Sequence, residues 1–147
     1  MEKEKILQLI ARHLEGNVRE LNKSLEDYIN ASNLDEGDTI DPEDYSQQAE
    51  QKEMSYQMQI QLDKAQSGLS RLKDFSGKTF SVAKTGALIE TDKNWILLGV
   101  SIPSLQVGNK ELLGISPESP AFAVINGKTK GESFNLGKNS FTILEVN

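Results

Sequence analysis

The chain has 147 residues, room for one ordinary domain or two small ones, with 37 % hydrophobic residues, no cysteine and a net charge of −6. The lack of cysteine excludes a disulfide framework, a thiolate nucleophile and a Cys-based zinc site. A surplus of acid argues against unaided binding to a nucleic-acid backbone, which rests on Lys and Arg neutralising phosphates.

The opening MEKEKILQLI lacks the cationic start and unbroken apolar run of a secretory signal, and no stretch approaches the roughly 18 apolar residues of a membrane span. A cytoplasmic location is therefore expected, away from membranes. Charge divides unevenly. Residues 1–75 carry 16 acids and 9 bases, net −7, whereas 76–147 carry 6 acids and 7 bases, net +1.

From about residue 5 to 31, Leu7, Ala11, Leu14, Val18, Leu21, Leu25 and Tyr28 recur at steps of four and three. This narrow apolar stripe predicts a helix packed on a single partner. Gly16 lowers helix propensity there by roughly 1 kcal/mol relative to Ala without ending the helix. His13, the only histidine, has no second imidazole or cysteine to complete a ligand set and reads as a surface or seam-edge residue.

An acidic run follows. Asp35, Glu36, Asp38, Asp41, Glu43 and Asp44 contain no cation among them, and the nearest along the chain are Lys23 and Lys52. Gly37 and Pro42 predict a turn and then a helix start, so the charge falls at the tip of a helical hairpin, at 35–45. Acidic residues are common in solvated turns and near helix N-termini, where they oppose the macrodipole. Six of them at the end of a hairpin also have no explanation in core packing, which makes the cluster a functional candidate. Asp41 has a competing use as N-cap to a helix starting with Pro42.

The second helix is expected to run to about residue 74, with Met58, Leu62, Ala65, Leu69 and Leu72 in the same spacing and Tyr45, Ala49 and Tyr56 nearer the tip. Met54 and Met58 read as filler in the seam, and the glutamines at 47, 48, 51, 57, 59, 61 and 66 as a solvated outer face. After Gly77 the periodicity changes. Short runs at 79–84, 87–91, 94–100, 110–115, 131–136 and 140–146 predict strands, with a short helix within 116–125 ended by Asn126-Gly127. The expectation is α+β: a helical hairpin over 1–75, then a small α+β domain over 76–147, with Phe80, Trp95, Phe122, Phe134 and Phe141 as its core.

The tip GDTIDPEDY, from Gly37 to Tyr45, resembles the GDLSENAEY of the bacterial GreA/GreB transcript cleavage factors, keeping Gly37, Asp38, an acid at Asp41, an acid at Asp44, and Tyr45. In the second half, Ile115-Ser116 and Ser119-Pro120, then Gly127-Lys128 and Gly131-Glu132, are similar to the family's ISxxSP, GK and GD elements, and Phe141-Thr142-Ile143 to its Tyr-Xaa-Ile. The resemblance implies an antiparallel coiled coil followed by an FKBP-like domain. It also implies a transcription elongation factor that docks on RNA polymerase through Ser116, Ser119, Pro120 and Lys128, inserts the hairpin into the secondary channel, and touches nascent RNA only indirectly.

In that scheme Asp38 and Asp41 hold a Mg²⁺ shared with the polymerase active centre, supported by Gly37, Glu43, Asp44 and Tyr45. The protein is then no enzyme by itself; it stimulates the polymerase's own hydrolysis of backtracked transcripts, and works as a monomer. Magnesium suits such a tip, because it prefers carboxylate oxygens and is commonly shared between one or two protein carboxylates and phosphates. The chain departs from the pattern at Ile40 and Pro42, which replace Ser and Asn, at Glu43, which adds a charge where Ala is usual, and in lacking an arginine shortly before Gly37. Three other readings stay open: a channel-binding regulator without cleavage, an FKBP-like peptide-binding or chaperone module, and a coiled coil that dimerises through its stripe.

Overall fold

The computed structural model describes residues 3–33 and 42–147, and the side chains of 3–30 and 49–147. Two long helices, α1 (Lys3–Asn33) and α2 (Pro42–Phe75), are followed by six strands and one short helix: β1 (Leu88–Thr91), β2 (Asn94–Leu98), β3 (Leu105–Val107), β4 (Lys110–Ile115), α3 (Pro120–Ile125), β5 (Ser133–Leu136) and β6 (Asn139–Val146). This is the expected α+β order. By packing, the chain forms two compact units: Met1–Arg12 with Gly68–Asn147, and His13–Ser67.

In the His13–Ser67 unit the two helices form a hairpin, across which the Tyr28 hydroxyl donates to the Met54 sulfur at 3.4 Å. The α1 stripe from Leu14 through Val18, Leu21 and Leu25 to Tyr28 is buried or half-buried, and His13 is exposed. On α2 the stripe keeps its spacing but takes a different line toward the tip. It runs through Gln51, Ser55, Met58, Leu62 and Ala65, all half-buried or buried, while Ala49 is exposed and Tyr56 is 63 % exposed. The reason is strict continuation of the four-three step, which puts a small polar serine and a glutamine at the seam and leaves the apolar Ala49 and Tyr56 one position off it. Met54 also stands at the edge of the seam, 48 % exposed, and does not fill it.

The other unit is built on one sheet in the order β3-β4-β2-β1-β6-β5. Every neighbouring pair is antiparallel except β2 with β4, which run parallel, Trp95 opposite Leu112 and Leu97 opposite Gly114. Strands β1 and β2 lie centrally and bury side chains on both faces. One face carries Ile89, Ile96, Ile115, Ile143, Phe134 and Phe141 against Ile125 of α3 and Ala83. Leu88, Trp95, Leu97 and Leu112 alternate to the other face and are buried as well. The helix ends belong to this same unit and bury Ile6, Leu7, Ile10, Leu72 and Phe75 within it.

Two sequence expectations change. The run at 79–84 is no strand; it makes a single bridge, Val82 to Thr129, because Val82 points to solvent and Lys84 already belongs to the turn into Ala87. A strand at 105–107 was not expected, since three residues are too short to show alternation, and it forms by pairing with β4. Of the expected aromatic core, Trp95, Phe134 and Phe141 are buried, the last two stacked with centroids 5.3 Å apart. Phe80 and Phe122 are half-buried.

Candidate functional site

The candidate tip residues Gly37, Asp38 and Asp41 lie outside the described residues, as do the side chains of Glu43, Asp44 and Tyr45, whose backbone belongs to the start of α2. Helix α2 begins at Pro42, the position where a missing N–H costs nothing. Along the hairpin below, Glu26 and Asp27 on α1 and Glu50 and Glu53 on α2 are exposed, with Lys52 and Lys23 as the interspersed cations. Negative charge thus extends from the acidic run onto both helices. Among the described residues no group of three or more His, Asp or Glu is arranged to hold a metal.

The second set of candidates, Ser116, Ser119, Pro120 and Lys128, falls together around α3. The Ser116 carbonyl accepts from the Ser119 N–H at 3.0 Å, closing a turn after β4. Ser119 is then the N-cap of α3, its hydroxyl oxygen accepting from the Ala121 N–H at 3.3 Å, and Pro120 opens the helix. Past the helix, the Lys128 N–H donates to the Ile125 carbonyl at 3.1 Å, and the Lys128 carbonyl accepts from the Ala83 N–H at 2.8 Å, pinning the chain to the segment before β1. Gly127 and Gly131 have φ of 88° and 91°, a conformation suited to glycine. Pro117, Glu118, Pro120 and Ala123 are exposed, so this junction has a solvent-facing side as well as a structural one.

Glu132 shows how tightly that loop is tied. Its carboxylate accepts from the Thr129 N–H at 2.6 Å and from the Thr129 hydroxyl at 3.2 Å. The backbone bond first, the hydroxyl second and nearby Lys128 hold its pKa below the usual glutamate value.

A cluster without any sequence signal lies at the start of α1. The Lys3 ammonium, on a residue only 7 % exposed, donates to the carbonyls of Lys78 at 2.7 Å and Asn147 at 3.3 Å, and sits 4.8 Å from the centroid of the Phe80 ring. Burial pushes its pKa down, against the opposing pull of Glu4. Glu4 accepts from the Gly77 N–H at 2.7 Å and the Ser76 hydroxyl at 2.8 Å, and these bonds hold its pKa below the ordinary value. Arg71 on α2 donates to the Gly99 carbonyl at 2.6 Å. These contacts fasten the helix ends to the sheet within one unit. Most of their acceptors are backbone carbonyls, which any residue carries, so no spacing in the sequence marks them.

No protein-family model matches the chain, and no curated protein matches it. Among solved structures, the GreA factor homolog 1 (Gfh1) protein of Thermus thermophilus aligns with 97 % of this chain and 93 % of its own, at 16 % identity and a TM-score of 0.35. Thermus aquaticus Gfh1 aligns with 95 % of this chain and 94 % of its own, at 12 % identity and a TM-score of 0.33. A further structure, of the transcription factor Gfh1, gives 97 % and 91 % coverage at 20 % identity and a TM-score of 0.34. Superpositions this loose carry no weight for function, and the fold stands on the elements described above.

Proposed function

We propose that the chain is a Gre-like transcription factor that binds RNA polymerase, with the hairpin inserted in the secondary channel and Asp38 and Asp41 acting on the polymerase active centre to promote cleavage of backtracked transcripts. The observation that carries the reading is joint placement. An acidic GDTIDPEDY joins the two helices of a hairpin, and the same chain sets ISPESP, GK and GE around a single capped helix of an α+β sheet domain.

Six carboxylates without a cation form a hard-oxygen donor set of the kind Mg²⁺ takes, and Asp38 and Asp41 are the residues that would hold the ion. A bound Mg²⁺ supplies stabilisation of attacking and leaving oxygens in phosphoryl chemistry. The chain's own contribution is to present the carboxylates and to exclude cations that would neutralise them. Acids on both helices below the tip add to that negative field, which favours a cationic entrance over a nucleic-acid surface.

A second reading has its own support. Because α2 begins at Pro42, Asp41 directly precedes the first helical residue, where a carboxylate serves well as a cap. With Asp41 used that way, the protein occupies the channel and regulates transcription without promoting cleavage.

The test is Mg²⁺-dependent RNA cleavage in a defined backtracked complex with cognate polymerase, comparing the wild type with Asp38→Asn and Asp41→Asn. Asp38→Asn keeps size and hydrogen bonding but removes charge, so docking should survive while cleavage falls, as for an interaction made mainly in the transition state. Asn still caps helices; cleavage lost in Asp41→Asn with helix content intact favours the metal role over the cap. Wild-type cleavage no greater than that of polymerase alone, with channel occupancy retained, replaces this reading by the regulator.

A further inference from the structure

The geometry points to Met54 as a site of oxidation by hydroperoxides, with the oxygen added on one side of the sulfur because the Tyr28 hydroxyl holds the other. The chain has three methionines, at 1, 54 and 58. Met58 is half-buried in the α2 stripe, whereas Met54 stands at the edge of the seam, 48 % exposed. A thioether sulfur is a soft nucleophile with two lone pairs and accepts hydrogen bonds weakly. One of these lone pairs is engaged, since the Tyr28 hydroxyl donates to the Met54 sulfur at 3.4 Å from the facing helix. The phenol is itself half-buried, so it is held in place over the sulfur.

The reaction is a two-electron oxygen transfer. The free lone pair attacks the terminal oxygen of a hydroperoxide, the S–O bond forms as the O–O bond breaks, and the proton ends on the departing oxygen, giving water or an alcohol. Sulfur is oxidised to the sulfoxide and the peroxide is reduced. Because attack uses the lone pair that Tyr28 leaves open, one sulfoxide epimer should predominate. Methionine sulfoxide is reversible, each epimer being reduced by its own class of reductase. Met54 would therefore carry an oxidant-written mark that one reductase erases.

The experiment treats the full-length protein with a limiting dose of hydrogen peroxide and follows each methionine by peptide mass spectrometry, then unfolds and digests the oxidised protein and divides it between the two epimer-specific reductases. Met54 is expected to oxidise severalfold faster than Met58, and one reductase to clear most of its sulfoxide. Tyr28→Phe removes only the hydroxyl; it should leave Met54 faster than Met58 but let the reductases clear comparable shares after unfolding and digestion, as at Met1. Met58 oxidising as fast as Met54, an even epimer mixture at wild-type Met54, or an unchanged bias in Tyr28→Phe would each overturn the inference. Circular dichroism of Tyr28→Phe before treatment confirms that the hairpin is intact.

Discussion

Replacing glycine by alanine at two positions should move stability in opposite directions, for reasons visible in the structure. Gly114 sits on β4 opposite Leu97 of β2, where an added Cβ would lie 2.7 Å from the Val100 carbonyl oxygen and 2.8 Å from the Ile102 amide nitrogen. Real Cβ atoms essentially never approach within 3.0 Å, and here two of the obstacles are backbone, so relief requires the 100–102 segment or the parallel pairing to shift. Overpacking of this kind costs about 1–3 kcal/mol. In a cooperative unit of roughly 90 residues, each kcal/mol moves Tm by about 4–8 °C, so Gly114→Ala should lower Tm by at least about 4 °C. At Gly16, within α1, a methyl group would meet no other atom within 4 Å, so Gly16→Ala should gain about 0.5–1 kcal/mol from helix propensity alone. Trp95, the single tryptophan, is buried on β2 beside β4 and reports the first change by fluorescence; the helical circular dichroism signal reports the second. A Gly114→Ala protein that melts at or above the wild-type temperature would refute the close-approach argument.

The remaining expectations concern charge and capping. Burial lowers the Lys3 pKa below 10.5, so the unfolded chain binds that proton more tightly and the Lys3 contribution to stability rises with pH from its folded value up to the ordinary one; urea midpoints across alkaline pH should show a shallower rise in Lys3→Met. Glu4 and Glu132 have lowered values, so their contributions are present above 4.5 and are lost as pH falls through the folded values; a Glu4→Gln, Glu132→Gln protein should lose less stability on acidification, measured by the same midpoints. Ser119→Ala removes the α3 cap and should cost about 0.5–2 kcal/mol, while Ser119→Asn should recover most of it, read as Trp95 melts.

What the sequence reveals depends on whether the determining interaction has a periodic signature. Helices α1 and α2 do: their stripes follow from burying one face on one partner, and the ends fell within two residues of expectation. The stripe failed where that premise failed. Ile6 and Ile10 lie off the predicted line yet are fully buried, because the start of α1 belongs to the unit that contains the sheet and is enclosed on more than one side. Near the tip the apolar residues are Ala49 and Tyr56, yet the seam there passes through Gln51 and Ser55. Polar residues at a seam hide its course from hydrophobicity alone. The contacts of Lys3 and Arg71 are invisible for another reason, since their acceptors are carbonyls 75, 144 and 28 positions away along the chain and identical in chemistry to every other carbonyl.

The two halves of the candidate site differ in how much their residues can say about function. Ser119 caps α3, Pro120 begins it, and Gly127 and Gly131 occupy left-handed turns, so a chain with this β4–α3–β5 path would favour those residues whether or not it met a partner. Their agreement with the ISxxSP, GK and GD pattern is therefore first an agreement about folding. Lys128 is similar, since the bonds that fix it are made by its backbone. The side chains the turn does not need are chiefly the exposed Pro117 and Glu118, and a test of docking at this junction belongs there. The acidic run is different again. A turn between two helices needs one cap and one or two turn formers, which Asp41, Gly37 and Pro42 satisfy by type; Glu43 and Asp44, in the first turn of α2, oppose its macrodipole, and nothing in these requirements calls for Asp38. Repulsion among clustered carboxylates works against placing them there without a cationic or metal counterpart. Function is thus weighed best at Asp38, the acid of the motif that neither the cap position nor the first turn of α2 claims, and the Asp38→Asn comparison carries more than any substitution around α3.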